Sequence, residues 1–251
     1  MRKSDEEGRK KHEGPTPQNI ILSGLTGSHA YGLNHDGFED VWGNFIEPSD
    51  IDTRGVFVIP TKEILSLGKH KELIEQKTTD TKYDEIERFI SLCLNCNPER
   101  LEMLAWAKFN QYSPHLFMTN EGKMLVENQN IFISKKAINA YGGYATQQRK
   151  LLERQENVQR KTKPAMHLIR VMITGIRLLK NGYVDTNMHL WRSELMAIRN
   201  GNMSFEEVLE WYKQLETQFE FWKHRSTAPD EPNHKKANEI LLEIRKNNLN
   251  W

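Results

Sequence analysis

Asp50 and Asp52 stand two residues apart in "SDIDTRGVFV", at the head of a β-branched run. At that spacing on a strand, both carboxylates project from one face of a sheet. Two like charges held so close repel unless a cation sits between them. Hard divalent ions such as Mg²⁺ take oxygen ligands, so the pair can serve as a two-metal platform. Taken alone, Asp-x-Asp is also a common strand entry. Its neighbours decide how much it says.

The first neighbour is the turn in "LSGLTGSHAYGL", where Gly27-Ser28 follows an apolar strand. A bare turn that opens a short helix presents backbone N–H groups and a helix dipole, which favour an anion, and Ser28 adds a hydroxyl. A strand-to-helix turn with Ser28 as N-cap reads equally well from the residues. No Gly-Lys-Ser/Thr follows, so this is not a P-loop, and Gly24, Gly27 and Gly32 lack the dinucleotide-binding spacing. A third carboxylate, Asp80, falls in "TTDTKY", a candidate strand over 78–83. If that strand lies beside the one bearing Asp50 and Asp52, three carboxylates converge on the glycine turn.

Weaker signals lie further along. Lys163, His167 and Arg170 recur at i, i+4 and i+7, on one face of a helix. Turned toward the carboxylates, that face suits a triphosphate; turned outward, it is ordinary surface. The segment 149–163 carries six basic residues against two acidic ones and offers contacts to an anionic substrate or a solvated helix face. Arg54 shares the strand face of Asp52 and reaches either those carboxylates, as an ion pair, or a phosphate. Cys93 and Cys96 form a Cys-x-x-Cys late in a helix, where the dipole disfavours a thiolate, and no further zinc ligands accompany them; Cys93 reads as core. Trp191, Trp211 and Trp222 fit helix packing.

The elements that must position these groups divide the chain. "NIILSG" (19–24) and "IDTRGVFVI" (51–59) read as buried strands. After the third strand, Asp84 with Glu87 makes a capping-box pattern ahead of Ile86, Phe89, Ile90 and Cys93 at helical spacing. Pro98 opens a further short helix, because its missing N–H falls where none is needed. Beyond about residue 120 every apolar pattern is helical; Gly182 and Gly201 follow basic last turns as helix stops, and Ser204 with Glu207 starts the next helix. The expected fold is α+β: a small mixed sheet flanked by helices over 19–112, then an all-helical domain over 113–251. The charged segment 1–18 reads as a disordered tail.

Composition bounds the rest. The 251 residues are 37% hydrophobic with 10 Phe and 6 Trp, enough for a substantial core, and the net charge of +1 supplies no global attraction to nucleic acid. No stretch is a secretory signal or a membrane span, and two cysteines make no disulfide framework, so a cytoplasmic protein is expected.

Together, "GSHAYGL", "SDIDTRGVFV", "NPERLEML" and "HLIRVMITGIRLLKNG" resemble, over roughly 19–210, the RNA-repair-pathway DNA polymerase β family of predicted nucleotidyltransferases of bacteria and phages. The resemblance implies a polymerase-β-like palm. Gly27 and Ser28 would hold the β- and γ-phosphates of a nucleoside triphosphate. Asp50 and Asp52 would bind two Mg²⁺ ions, and Asp80 would complete the nucleophile-side metal and stand nearest to a general base. Lys163, His167 and Arg54 are candidate nucleotide contacts. RNA is the implied acceptor; a protein side chain, or a catalytically inactive nucleotide- or RNA-binding palm, are the alternatives. The chain departs from the family in "NHDGFEDVWGNFIEP", which lengthens the usually short link between Gly-Ser and Asp-x-Asp with an acidic, aromatic insert that is either a lid, a specificity loop or a surface excursion.

Overall fold

The structure, a computed structural model, describes residues 17–76 and 80–249. The charged segment 1–16 and residues 77–79, which include the start of the expected third strand, lie outside the described residues.

The fold is α+β, as the sequence implies. A mixed five-stranded sheet runs in the order β5 (Leu73–Gln76), β6 (Thr81–Glu85), β4 (Thr53–Phe57), β1 (Ile20–Leu25) and β7 (Phe117–Met118). β4 pairs antiparallel with β1 and parallel with β6. The three strands read from sequence are its centre, and β5 and β7 are short edges that carry too little periodicity to stand out. Leu22 and Val56, both fully buried, show why the central strands are apolar.

The segment between Gly-Ser and Asp-x-Asp forms a separate hairpin of β2 (Phe38–Glu39) and β3 (Phe45–Ile46). After β1 comes the short helix α1 (Gly27–Tyr31), and after β4 the short α2 (Thr61–Ile64). α3 (Ile86–Leu94) follows β6 and buries Ile86, Phe89, Ile90 and Cys93, the apolar set the periodicity picks out. Its cap differs from the expectation: Glu85, not Asp84, accepts from the Glu87 N–H. Asp84 is instead buried and held by Arg100 at 2.8 Å and Arg88 at 3.0 Å. A cap is a local device, but the cation that claims Asp84 comes from sixteen residues on, in α4 (Pro98–Phe109), where Pro98 takes the first helical position behind an Asn97 cap.

The remainder is helical: α5 (Asn120–Glu127), α6 (Lys136–Arg154), α7 (Val158–Asn181), α8 (Arg192–Asn200), α9 (Phe205–Arg225) and α10 (His234–Asn247). Gly182 and Gly201 close α7 and α8 in the left-handed conformation, and Ser204 with Glu207 forms the reciprocal capping box of α9. α7 runs through Pro164, which removes the N–H that would bond to Arg160, one turn before His167. One apolar core extends from β1, α3 and α4 into α6, α7 and α9; Trp191, Trp211 and Trp222 pack at its edge and Cys93 and Cys96 lie within it. Burial pushes the Cys93 thiol well above its usual pKa, which keeps it inert.

Candidate active site

β1 and β4 set the glycine turn against the carboxylates. Their register pairs Leu25 with Thr53, and one residue further the Thr26 N–H donates to the Asp52 carbonyl at 2.9 Å. Gly27 therefore lies against Asp52. It sits at φ +64°, and a Cβ there would collide with Asp52 Oδ2. Only glycine allows this backbone conformation together with so close an approach.

The parallel pairing of β4 with β6 brings in the third carboxylate. Thr53 is in register with Thr81, so Asp52 and Asp80 immediately precede two paired residues and end side by side. Asp50 and Asp52 precede β4 rather than lying on it, and Asp80 occupies the turn that enters β6, at φ +43°. The Asp52 carboxyl is pushed up to about 6, first by desolvation, then by its hydrogen bond to Asp80 and that residue's charge; Asp50 adds to the rise and Lys163 opposes it.

Two cavities meet at this pair. One, of about 370 Å³, is lined by Gly27, Ser28, Asp50, Asp52, Asp80, Lys163 and His167, and by Arg199 from α8. The other, of about 250 Å³, shares Gly27, Asp52, Asp80 and His167 but opens toward Arg54, Lys82, Glu99 and Tyr144. The candidate site residues read from the sequence thus line one or the other of these two cavities. Lys163 is exposed on the first cavity, on the helix face it shares with His167. The Nδ1 of His167 is buried with no hydrogen-bond partner. Desolvation, with the cations Arg170, Lys163 and Arg199, lowers the His167 pKa to about 3, so the imidazole is neutral at physiological pH.

Two cations behave otherwise. Arg54 is an ion pair, but with Glu99 at 2.8 Å rather than with Asp50 or Asp52; Glu99 also takes Arg100 at 2.7 Å. Arg170 turns inward, buried, donating to both oxygens of Glu102 at 3.1 and 3.2 Å and stacking 3.8 Å above the Tyr31 ring, whose hydroxyl donates to Glu102 at 2.7 Å. Burial alone would lower the pKa of Arg170; Glu102 more than reverses this. Helical spacing shows which face a residue shares but not what that face meets. In the basic segment, Arg149 pairs with Glu153 and lies over Tyr212, and Lys161 lies over Phe205. Arg199, Lys82, Glu99, Glu102 and Tyr144 escape a reading by motif; Arg199 looks from sequence like a last-turn cation before a helix stop.

The donor set fits a hard divalent cation. Among the described residues no three acidic, histidine or cysteine side chains form a ready metal cage. What is present is two carboxylates in contact, a third nearby, and a carboxyl pKa raised first by desolvation and then by its carboxylate neighbours. A cation relieves the repulsion among them.

The chain matches the RNA repair pathway DNA polymerase beta family over residues 1–243 and belongs to that family. The family name points to a polymerase-β-like nucleotidyltransferase in an RNA repair pathway. No curated protein matches the chain. Among the described residues, no helix is long and apolar enough to cross a membrane.

Proposed function

We propose that the protein is a Mg²⁺-dependent nucleotidyltransferase that moves a nucleoside monophosphate from a nucleoside triphosphate to a hydroxyl at an RNA end and releases pyrophosphate. The observation that carries this reading is the contact of Asp52 with both Asp80 and the bare Gly27 turn. Gly27 and Ser28 hold the β- and γ-phosphates. Lys163 adds positive charge at the same cavity, and the neutral His167 offers a hydrogen bond without adding charge. Two Mg²⁺ ions on Asp50, Asp52 and Asp80 would neutralise the triphosphate and acidify the attacking hydroxyl. In the transfer, the bond from the acceptor oxygen to the α-phosphorus forms, the bond to the bridging oxygen breaks, pyrophosphate leaves, and the hydroxyl proton passes to Asp80. Arg54, tied to Glu99, lines the adjoining cavity. Positioning and charge neutralisation do most of the work in such transfers.

The test is pyrophosphate release from each of the four ribonucleoside triphosphates with Mg²⁺ and a mixed small-RNA pool, for the wild type and for Asp50→Ala/Asp52→Ala. Release that requires RNA and vanishes in the variant is the expected result. Release without RNA, with α-phosphate label on protein, would replace the RNA end by a protein side chain as acceptor. Absence of release and of label transfer in every combination would leave an inactive palm.

A further inference from the structure

The inserted segment 34–48 is a built wall rather than a free excursion. Its base is closed where the Ser49 N–H donates to the His35 carbonyl at 2.9 Å and the His35 N–H donates to Ser49 Oγ at 3.1 Å. Its tip is organised by Asp40, whose carboxylate accepts from the Trp42 and Asn44 N–H groups at 3.0 and 2.8 Å and from the Asn44 side chain. Both ends of α8 are fastened to this region. Arg192, at the start of α8, donates to the carbonyls of Gly32 and Asn34. At the other end the Val41 N–H donates to the Asn200 carbonyl at 3.2 Å, and Trp42 lies so close to Gly201 that a Cβ there would collide with its ring.

Between those two attachments α8 carries Arg199 to the 370 Å³ cavity, where it stands with Lys163 and Ser28. Arg199 is half-buried and donates to Thr162 Oγ1 at 3.2 Å. Among the described residues it makes no ion pair; Asp40, the carboxylate whose charge favours it, is already satisfied by its own turn. A guanidinium withdrawn from water without a carboxylate is well matched to a phosphate, which accepts its planar fork of donors.

Resting on the nucleotidyltransferase reading, we propose that Arg199 contacts the terminal phosphates of the bound nucleoside triphosphate, and that the hairpin β2–β3 holds α8 in the position from which it does so. Arg199 thereby selects triphosphates over monophosphates.

Calorimetry with Mg²⁺ and either a nucleoside triphosphate or the matching monophosphate tests this on the full chain, for wild type, Arg199→Ala, Arg199→Lys and Trp42→Ala. The expected result is a loss of roughly 10- to 100-fold in triphosphate affinity for Arg199→Ala with monophosphate affinity within about twofold, and partial recovery in Arg199→Lys. Trp42→Ala should show the same selective loss, smaller in size. Monophosphate binding doubles as the check that each variant is folded. Equal weakening of both ligands, or an unchanged triphosphate affinity, would overturn the role of Arg199 while leaving the nucleotidyltransferase reading intact. A wild type that binds no triphosphate would overturn both. Selective loss in Arg199→Ala with none in Trp42→Ala would overturn the role of the hairpin.

Discussion

Two neighbouring clusters of charge, each with a residue from α7, are built on opposite rules. In the first, Glu102 receives Arg170 and the Tyr31 hydroxyl, and each charge is met by its complement in the dry interior. In the second, Asp52 is set against Asp80 with Asp50 nearby, while Lys163, His167 and Arg199 line the wall without a carboxylate of their own. A closed pair needs no ligand and secures the fold. An open cluster of like charges raises the energy of the free protein and lowers it again only when a complementary ligand arrives. The protein thus leaves like charges crowded at the proposed site, while the buried Glu102 and Arg170 charges meet each other.

The largest effect should come from breaking the closed cluster. Glu102→Gln leaves Arg170 buried without its counter-charge and should cost about 3–5 kcal/mol in unfolding free energy, read by denaturant titration. The open cluster should respond to pH instead. His167 has a folded pKa of about 3, below the ordinary histidine value of about 6.5. Below that ordinary value the unfolded chain binds a proton that the folded one refuses, so stability falls as pH drops from roughly 6.5 toward 3. Asp52, raised to about 6, acts with the opposite sign between about pH 6 and 4, because there the folded state binds the proton first. His167→Gln should therefore be the less acid-sensitive protein, by roughly 2–3 kcal/mol at pH 4 relative to its difference from wild type at pH 7. A smaller loss, about 2 kcal/mol, is expected for Gly27→Ala, where a side chain must adopt positive φ and displace Asp52; a thermal melt would reveal it.

The sequence shows the central sheet, several helix ends and most of the open cluster, because strands, caps and Asp-x-Asp are local patterns. Gly27 was legible as a bare turn, and the structure adds its second reason, the approach of Asp52. What the sequence hides is non-local. Asp84 looks like an N-cap until Arg100 claims it from the next helix, which moves the cap to Glu85. Arg170 shares a face with Lys163 and His167, but α1 and α4 meet that face with Tyr31 and Glu102. Arg199 lines the cavity from a helix whose last turn touches a hairpin some 150 residues earlier, a contact that no spacing rule contains.

The most direct test pairs stability with activity in Asp52→Asn. Removing one of the crowded carboxylates should stabilise the metal-free protein at neutral pH by roughly 1 kcal/mol, a figure reduced for solvent screening at this half-buried group. The same preparation should transfer no α-phosphate label from nucleoside triphosphate to acceptor in the presence of Mg²⁺. A more stable and inactive variant is the result the account predicts; a variant that transfers label at the wild-type rate would contradict it.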